Sequence, residues 1–154
     1  MKLTYLPIVL MLTIMSFSCK RSSPVEEKVE DARKSQPCGE AVVANAPNFS
    51  TVITNDFVIA DASISGDCLT IKVGGSGCSG NTWKTEVLHA VSDAAVYPQQ
   101  HALKVVFTNK ELCTAVLVKS FEFDLYPLRQ KGTNKISLSI YGSAGYYKTL
   151  QYAY

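Results

Sequence analysis

The chain has 154 residues, a length that suits one domain and leaves little room for a second. Hydrophobic residues make up 47% of it and charged residues 18%, which excludes an intrinsically disordered chain and a coiled coil. The net charge of +2 provides no positive field with which to hold nucleic acid. There are 9 glycines, 6 prolines and no visible sequence period, which excludes collagen-like and repeat architectures.

Residues 1–18 predict an export signal. Lys2 supplies a positive start, and residues 5–17 form an uncharged, mostly apolar run that is shorter than the roughly 20 residues of a membrane-spanning helix. Ser18 and Cys19 follow, and a small residue directly before a cysteine at this place resembles a bacterial lipoprotein signal. We therefore expect cleavage before Cys19, lipid on its thiol, and a location in the cell envelope, at the outer membrane. An ordinary secretory signal with cleavage nearby is the alternative.

We expect residues 19–37 to comprise the lipidated cysteine and a charged, flexible tether that follows it. Half of the 18 residues from Lys20 to Pro37 are charged and very few are apolar, so the segment has no face to bury. As a flexible chain it would reach roughly 25 Å. No second hydrophobic segment follows, so the lipid is the expected attachment to the membrane.

Residues 38–154 predict a single all-β domain. Hydrophobic and polar residues alternate along six segments that are separated by turn-forming residues. These segments are 57–64, 68–73, 82–91, 101–108, 135–141 and 146–154. Seven or eight strands without a helical segment indicate an antiparallel β-sandwich of immunoglobulin-like size, and a small β-barrel is the alternative.

The segment 112–125 departs from the regular alternation. Lys119 falls between Leu117 and Phe121 on the side that this alternation would bury. One continuous strand would therefore bury a lysine. We expect a β-bulge or a break near Lys119 and Ser120 instead.

Four cysteines remain after Cys19, and they are Cys38, Cys68, Cys78 and Cys113. In an exported chain an even number of cysteines predicts disulfides, and four cysteines allow three pairings. A zinc site is the competing interpretation, but the chain has no C-x₂-C spacing and only 2 histidines. The residues alone leave the pairing open, including a bond from Cys68 to Cys78 across one hairpin.

Four short motifs resemble a pattern of exported, lipoprotein-like domains in Bacteroidota-type bacteria. They are Gly77-Cys78, Pro98-Gln99, Cys113-Thr114-Ala115 and Phe123-Asp124-Leu125-Tyr126-Pro127-Leu128. The resemblance implies a small exported β domain with a bond between Cys78 and Cys113, which leaves Cys38 for Cys68. Other members carry charged residues and a histidine after the Gly-Cys, where this chain has Ser-Gly-Asn-Thr. The group has no assigned activity, so the resemblance implies no catalytic residue.

Two motifs with known chemical uses have a simpler structural interpretation here. Residues 75–80 match G-x-G-x-x-G, but a dinucleotide site needs a helix next and a strand-like segment follows. A glycine turn that contains a disulfide is the better interpretation. Glu122 and Asp124 could form the carboxylate pair of a glycosidase, but solvated strand-edge charges are favoured, or an Asp124 that accepts N–H bonds in the next turn.

The two histidines do not predict a catalytic or metal site. His89 shares the inward side of its strand with Trp83, and we expect it to be a hydrogen-bonded core residue. His101 opens a strand, and we expect it to be exposed. The sequence therefore predicts no catalytic residue, no metal and no cofactor.

Aromatic side chains are the candidate binding residues. Exposed tyrosine and tryptophan anchor protein partners and can stack on sugars. We single out Trp83, Tyr97, Tyr126 and Tyr147. The sequence thus predicts a non-enzymatic module that is attached to a membrane through lipid and binds a glycan or a protein. A secreted inhibitor or chaperone-like module, acting through loop 92–100 or 126–134, is the alternative.

Overall fold

A computed structural model describes residues 36–91 and 96–154. The predicted signal, lipidated Cys19 and all but the end of the predicted tether lie outside the described residues. Within the described ranges, no helix is long and apolar enough to cross a membrane.

The described residues form eight β-strands in two four-stranded sheets. The strands are β1 (Glu40–Ala41), β2 (Val58–Ser65), β3 (Cys68–Gly77), β4 (Lys84–Val91), β5 (Gln100–Thr108), β6 (Ala115–Asp124), β7 (Lys135–Tyr141) and β8 (Tyr147–Ala153). The first sheet has the strand order β1-β6-β3-β2 and the second has the order β4-β5-β7-β8. A 3-10 turn at Tyr126–Leu128 lies between β6 and β7. The predicted β-sandwich is confirmed, and the sheets do not close into the alternative barrel.

Both sheets are mixed, whereas the sequence predicted antiparallel pairing. β5 runs parallel to β7, with Gln100 opposite Ser137, and β1 runs parallel to β6. The parallel pair arises because the chain leaves β5 for β6 in the other sheet before it returns to β7. Alternation of polar and apolar residues reports which side of a strand is buried and does not report the direction of its neighbour.

The inner faces of the two sheets supply one hydrophobic core. Its fully buried members include Leu69, Ile71, Val73, Leu103, Phe107, Ile136, Leu138, Ile140 and Tyr152. Phe107 lies at the centre of an aromatic group, with ring centroids 5.4 Å from Phe57 and 5.1 Å from Trp83. Burial of each large side chain contributes roughly 1.5–3 kcal/mol, so these alternating positions hold the two sheets together.

β6 is one unbroken strand, and the prediction of a bulge near Lys119 and Ser120 is wrong. All ten residues of β6 pair with β3 in continuous register. Lys119 is half-buried on the inward side, and its Nζ donates to the carbonyl oxygen of Gly80 over 2.8 Å. The long side chain carries its charge to the rim of the sandwich, so the strand needs no break. β3 likewise continues through residues 75–77, which the sequence assigned to a glycine turn.

The segment after β1 connects the edges of both sheets. β1 lies beside β6, and Val43 then bonds to β4, because its N–H donates to the carbonyl of Val87 and its carbonyl accepts from the N–H of His89. The chain next covers the outer face of β4 and β5. A small apolar cluster forms there from Ala46, Phe49, Val52, Leu88 and Val106.

Two disulfides fasten loops to the strands. Cys38 is bonded to Cys68 at the start of β3, and Cys78, just after β3, is bonded to Cys113, just before β6. This is the pairing that the resemblance implied. Two disulfides in one domain indicate an extracytoplasmic location, where thiols are oxidised.

Removal of the second disulfide should destabilise the domain. We expect the double substitution Cys78→Ala and Cys113→Ala to lower the free energy of unfolding by about 3–4 kcal/mol, because the bond closes a 35-residue separation. Urea unfolding of the oxidised proteins measures the difference. The pair Cys38→Ala and Cys68→Ala, with a separation of 30 residues, is the matched control and should lose a similar amount. Unchanged stability in the Cys78 and Cys113 variant would contradict this expectation.

Candidate functional site

The loops that precede β5 and β7 border a groove of about 320 Å³, here called the loop groove. Its lining residues are Val96, Tyr97, Gln99, Gln130, Lys131, Gly132 and Thr133. The loops lie side by side because β5 and β7 are parallel neighbours, and the N–H of Ser137 donates to the carbonyl of Gln99 over 2.9 Å. The loops 92–100 and 126–134 of the sequence therefore meet here, with residues 92–95 outside the described ranges.

Tyr97 is the exposed aromatic side chain of the loop groove. Its side chain is 75% exposed, and Nζ of Lys135 lies 5.4 Å from the ring centroid, within reach of a cation–π interaction. The carboxamides of Gln99 and Gln130 offer both donors and acceptors. No carboxylate lines this groove among the described residues, and Lys131 adds a second cation. The two lysines and the two carboxamides therefore suit a neutral polar or an acidic ligand.

The far side of the loop groove is held by the last strand. The N–H of Gln130 donates to the hydroxyl of Tyr154 over 2.9 Å, and the N–H of Tyr154 donates to the carbonyl of Asn134 over 2.9 Å. Gly132 turns the loop with a φ of +82°, a conformation that favours glycine. The backbone on this side is thus fixed before any ligand arrives.

A buried histidine pair lies next to the loop groove. His89 and His101 are 3% and 1% exposed, and Nε2 of His89 lies 2.7 Å from Nδ1 of His101. The expectation of a hydrogen-bonded core residue is confirmed for His89. The expectation of an exposed His101 is wrong, because β5 begins at Gln100 and His101 already faces inward on the same side as Leu103.

The hydrogen bonds of the pair determine where its protons lie. Nδ1 of His89 accepts from the N–H of Asn45 over 3.2 Å, so neutral His89 carries its proton on Nε2 and donates to Nδ1 of His101. His101 then carries its proton on Nε2, which faces the carboxamide of Gln130 at 3.3 Å. The contact atom of Gln130 as placed is its amide nitrogen, which also donates, so the carboxamide must be turned over for its oxygen to accept this proton. The chain therefore runs from a backbone N–H, through both rings, to a residue that lines the loop groove.

Both histidines are neutral at pH 7. Burial, together with the repulsion by His101, lowers the pKa of His89 to about 4, and burial also lowers the pKa of His101. A proton added to Nδ1 of either ring would remove the acceptor that its neighbour needs. The pair is therefore sensitive to acid.

Tyr126 belongs to a cluster around Arg129. The guanidinium of Arg129 lies 4.9 Å from the ring centroid of Tyr126, and its Nη2 lies 2.7 Å from Oδ1 of Asp67. The buried hydroxyl of Tyr152 donates to the same oxygen over 2.5 Å, and burial raises the pKa of Tyr152. Arg129, which lies over the Tyr126 ring, thus links the turn between β2 and β3 to the last strand. Tyr126 therefore contacts a side chain that supports the fold.

The candidate residues Trp83 and Tyr147 lie apart from the loop groove. Trp83 is 6% exposed and packs edge-on against the core, so the structure does not present it as an exposed platform. Tyr147 is 59% exposed and lies 5.3 Å from the ring centroid of Tyr141. Among the described residues, no ring contact links Tyr97, Tyr126 and Tyr147. The predicted aromatic set therefore does not form one patch.

Glu111 is the residue that sequence reasoning missed. The N–H groups of Cys78, Ser79 and Gly80 donate to its Oε2, and the N–H and hydroxyl of Thr82 donate to its Oε1. These backbone donors, with the N–H of Gly80 first, lower the pKa of Glu111 to about 2. The glycine turn is thus an anion-binding loop occupied by a carboxylate of the same chain.

Glu122 and Asp124 have the structural roles that the sequence favoured. Asp124 is 3% exposed, and its Oδ1 accepts from the N–H of Tyr126 over 3.2 Å, as expected for the turn that follows β6. Glu122 is exposed. Within residues 36–91 and 96–154, no group of three or more His, Cys, Asp or Glu side chains is placed to hold a metal ion.

Comparison with known proteins identifies the fold. No family model and no curated protein matches the sequence. Two similar solved structures are a protein of unknown function, DUF1344, from Bacteroides vulgatus (14% identity, TM-score 0.52) and a NigD-like immunity protein from Bacteroides caccae (9% identity, TM-score 0.55). Each match covers 75% of this chain, which spans only 56% and 64% of those proteins. Their source agrees with the resemblance to uncharacterised Bacteroidota-type domains.

Acid should destabilise the domain through the histidine pair. Unfolded histidines take up protons near pH 6.5, whereas folded His89 stays neutral until the pH falls towards about 4, and burial lowers the pKa of His101 as well. The contribution of the pair to stability is therefore complete above pH 6.5 and is lost below that pH. We expect the free energy of unfolding to be roughly 1–2 kcal/mol lower at pH 5 than at pH 7. Urea unfolding at both pH values measures the change.

The control for this experiment is the double substitution His89→Gln and His101→Gln, which should weaken the dependence on pH between 7 and 5. The contribution of Glu111 is present above its ordinary pKa of 4.5 and is lost as the pH falls from there towards about 2, so it lies below this window. An unaltered pH dependence in the double variant would assign the effect to other groups.

Proposed function

We propose that this chain is a lipid-anchored, non-enzymatic binding module of the cell envelope, and that its loop groove holds a glycan or a segment of a protein. The observation that carries the proposal is Tyr97, whose ring is 75% exposed at the rim of a groove. Rings of this kind, presented from loops on a rigid scaffold, are common anchors in binding sites.

The chemistry of the loop groove supports an uncharged polar or acidic ligand. Gln99 and Gln130 can exchange hydrogen bonds with hydroxyl or amide groups. Lys131 and Lys135 favour a carboxylate or another anion near Tyr97. Because the Gln130 backbone is held by Tyr154, little entropy is lost there on binding.

Attachment to the outer membrane is part of the proposal. The Ser18-Cys19 sequence after an apolar run supports lipidation, and the charged residues up to Pro37 would hold the domain away from the lipid surface. The two disulfides agree with this extracytoplasmic placement.

An inhibitor is the second candidate function. The fold shared with a NigD-like immunity protein favours it. In this form of the proposal, the same two loops contact a toxic protein, and the loop groove holds a segment of that protein instead of a glycan.

Substitution of Tyr97 tests the loop groove. We expect Tyr97→Ala to weaken binding at least about tenfold, because a central aromatic anchor contributes about 2 kcal/mol or more. The fold should not change, since the ring is largely exposed. A glycan array and a displayed peptide library, screened with the full chain, supply the ligands. Tyr147→Ala removes another exposed tyrosine and is the matched control. Equal retention of every ligand by wild type and Tyr97→Ala would place binding elsewhere.

Substitution of Cys19 tests the anchor. We expect Cys19→Ala to move the protein from the membrane fraction to the soluble fraction, because the lipid is the proposed attachment. Fractionation of cells, followed by washes in high salt, measures this. A variant that stays with the membrane through these washes would show that lipidation of Cys19 is not the anchor.

A further inference from the structure

In the described part of the chain, the sandwich has an open seam between its two sheets. A groove of about 600 Å³, here called the seam groove, runs between β4 and β6. It is lined by residues 83–86 of the β4 side, residues 120–123 of β6, and residues 38–40 at the end where β1 begins. The seam groove and the loop groove share no lining residue.

The β4 side of the seam groove carries unpaired backbone groups. Val87 and His89 use their outer N–H or carbonyl groups to bond Val43, so the odd-numbered residues of β4 face this edge. Thr85 faces the same edge but lies outside the stretch of β4 that pairs with Val43. Within the described residues, no backbone hydrogen bond reaches the N–H or the carbonyl of Thr85 on this side. Its hydroxyl is also buried without a hydrogen-bond partner, and its side chain is 6% exposed.

The β6 side is unpaired in the same way. The N–H of Leu125 donates towards β3 and the carbonyl of Asp124 accepts from Val42, so the even-numbered residues of β6 face the outer edge. β1 covers this edge only opposite Phe123 and Asp124. At Ser120, beside the seam groove, no backbone bond within the described residues reaches the outer edge. Such an edge is a template for another strand.

The charge of the seam groove selects the kind of segment that could pair there. Among the described residues, Glu40, Glu86 and Glu122 line it, against the single cation Lys84. Phe121 lines it as well and is only partly buried, which leaves apolar surface for alternate side chains of an added strand. A strand with alternating basic and apolar residues would complement all three features. Its basic side chains attract the carboxylates, its apolar side chains pack on the partly buried ring, and its backbone bonds to the edge.

We propose that the seam groove binds an extended, basic segment of a partner protein, which adds as a strand to the free edge of β6 beside β1. Backbone hydrogen bonds to Ser120 align the segment. Its basic side chains lie in the negative field of Glu40, Glu86 and Glu122, and its apolar side chains pack on Phe121. This site is separate from the loop groove and does not depend on the function proposed for it.

The test uses a capped seven-residue peptide of alternating Lys and Val and the full chain in nonionic detergent. Trp83 is the only tryptophan and lines the seam groove, so its fluorescence reports occupancy. We expect the Lys-Val peptide to change this emission in a saturable way. A peptide with Glu in place of Lys should bind at least about tenfold more weakly, and so should a Lys-Val peptide with N-methyl groups on alternate backbone nitrogens. No binding of the Lys-Val peptide, or equal binding of either control peptide, would overturn the proposal.

Two variants locate the bound peptide on the protein. Glu86→Lys with Glu122→Lys should weaken binding at least about tenfold, whereas Asp56→Lys, an exposed acid that does not line the seam groove, should not. Ser120→Pro removes an N–H that faces the free edge and leaves the bonds to β3 intact, so it should also weaken binding. If the proline variant does not fold, the charge variants and the N-methylated peptide still test whether the peptide pairs with the edge of β6. Unchanged affinity in the Glu86 and Glu122 variant would refute this location. As a control for the loop groove, Tyr97→Ala should bind the peptide as tightly as the wild type.

Discussion

The parallel pairing of β5 with β7 is the constraint on which the polar features of this domain depend. Because the two strands start at the same end of their sheet, the loops that lead into them lie together and form the loop groove. The same pairing sets His101, at the second position of β5, within reach of Gln130 in the other loop. An antiparallel arrangement would have placed these loops at opposite ends of the sheet.

The histidine chain shows how this domain places polar groups inside a small core. Each ring nitrogen has a partner, from the N–H of Asn45 through His89 and His101 to Gln130. A buried pair that is fully hydrogen-bonded while neutral costs little, but a charged ring would lose a partner as well as its hydration. Protonation of the pair would therefore break this buried chain, whose last partner, Gln130, also lines the loop groove.

The sequence was sufficient for the sandwich and for most of the core, since the alternation along β3, β5 and β7 is regular. Prediction from the sequence failed at positions where a single side chain makes a contact with a residue far away in the chain. Lys119 suggested a broken strand because its partner, the carbonyl of Gly80, is 39 positions away. Glu111 passed unnoticed for the same reason, although the glycine turn that binds it was recognisable. Tyr97 and Gln130 line the same groove because of the order of the strands in the sheet, and the alternation of polar and apolar residues does not encode that order.

The edges of the sandwich are protected unequally. At the corner between β2 and β8, Nζ of Lys148 bonds both the carboxylate of Asp61 and the carbonyl of Ala62, which covers that edge with a charged side chain. At the opposite corner, Val43 occupies the middle of β4, and β1 occupies the end of β6. Cover of this kind prevents unwanted pairing between chains. The backbone beside Thr85 and Ser120 lacks such cover within the described residues, and the carboxylates around it repel acidic strands. An edge that excludes one class of strand by charge, and lies open to the opposite class, is selective in the way that a binding site is.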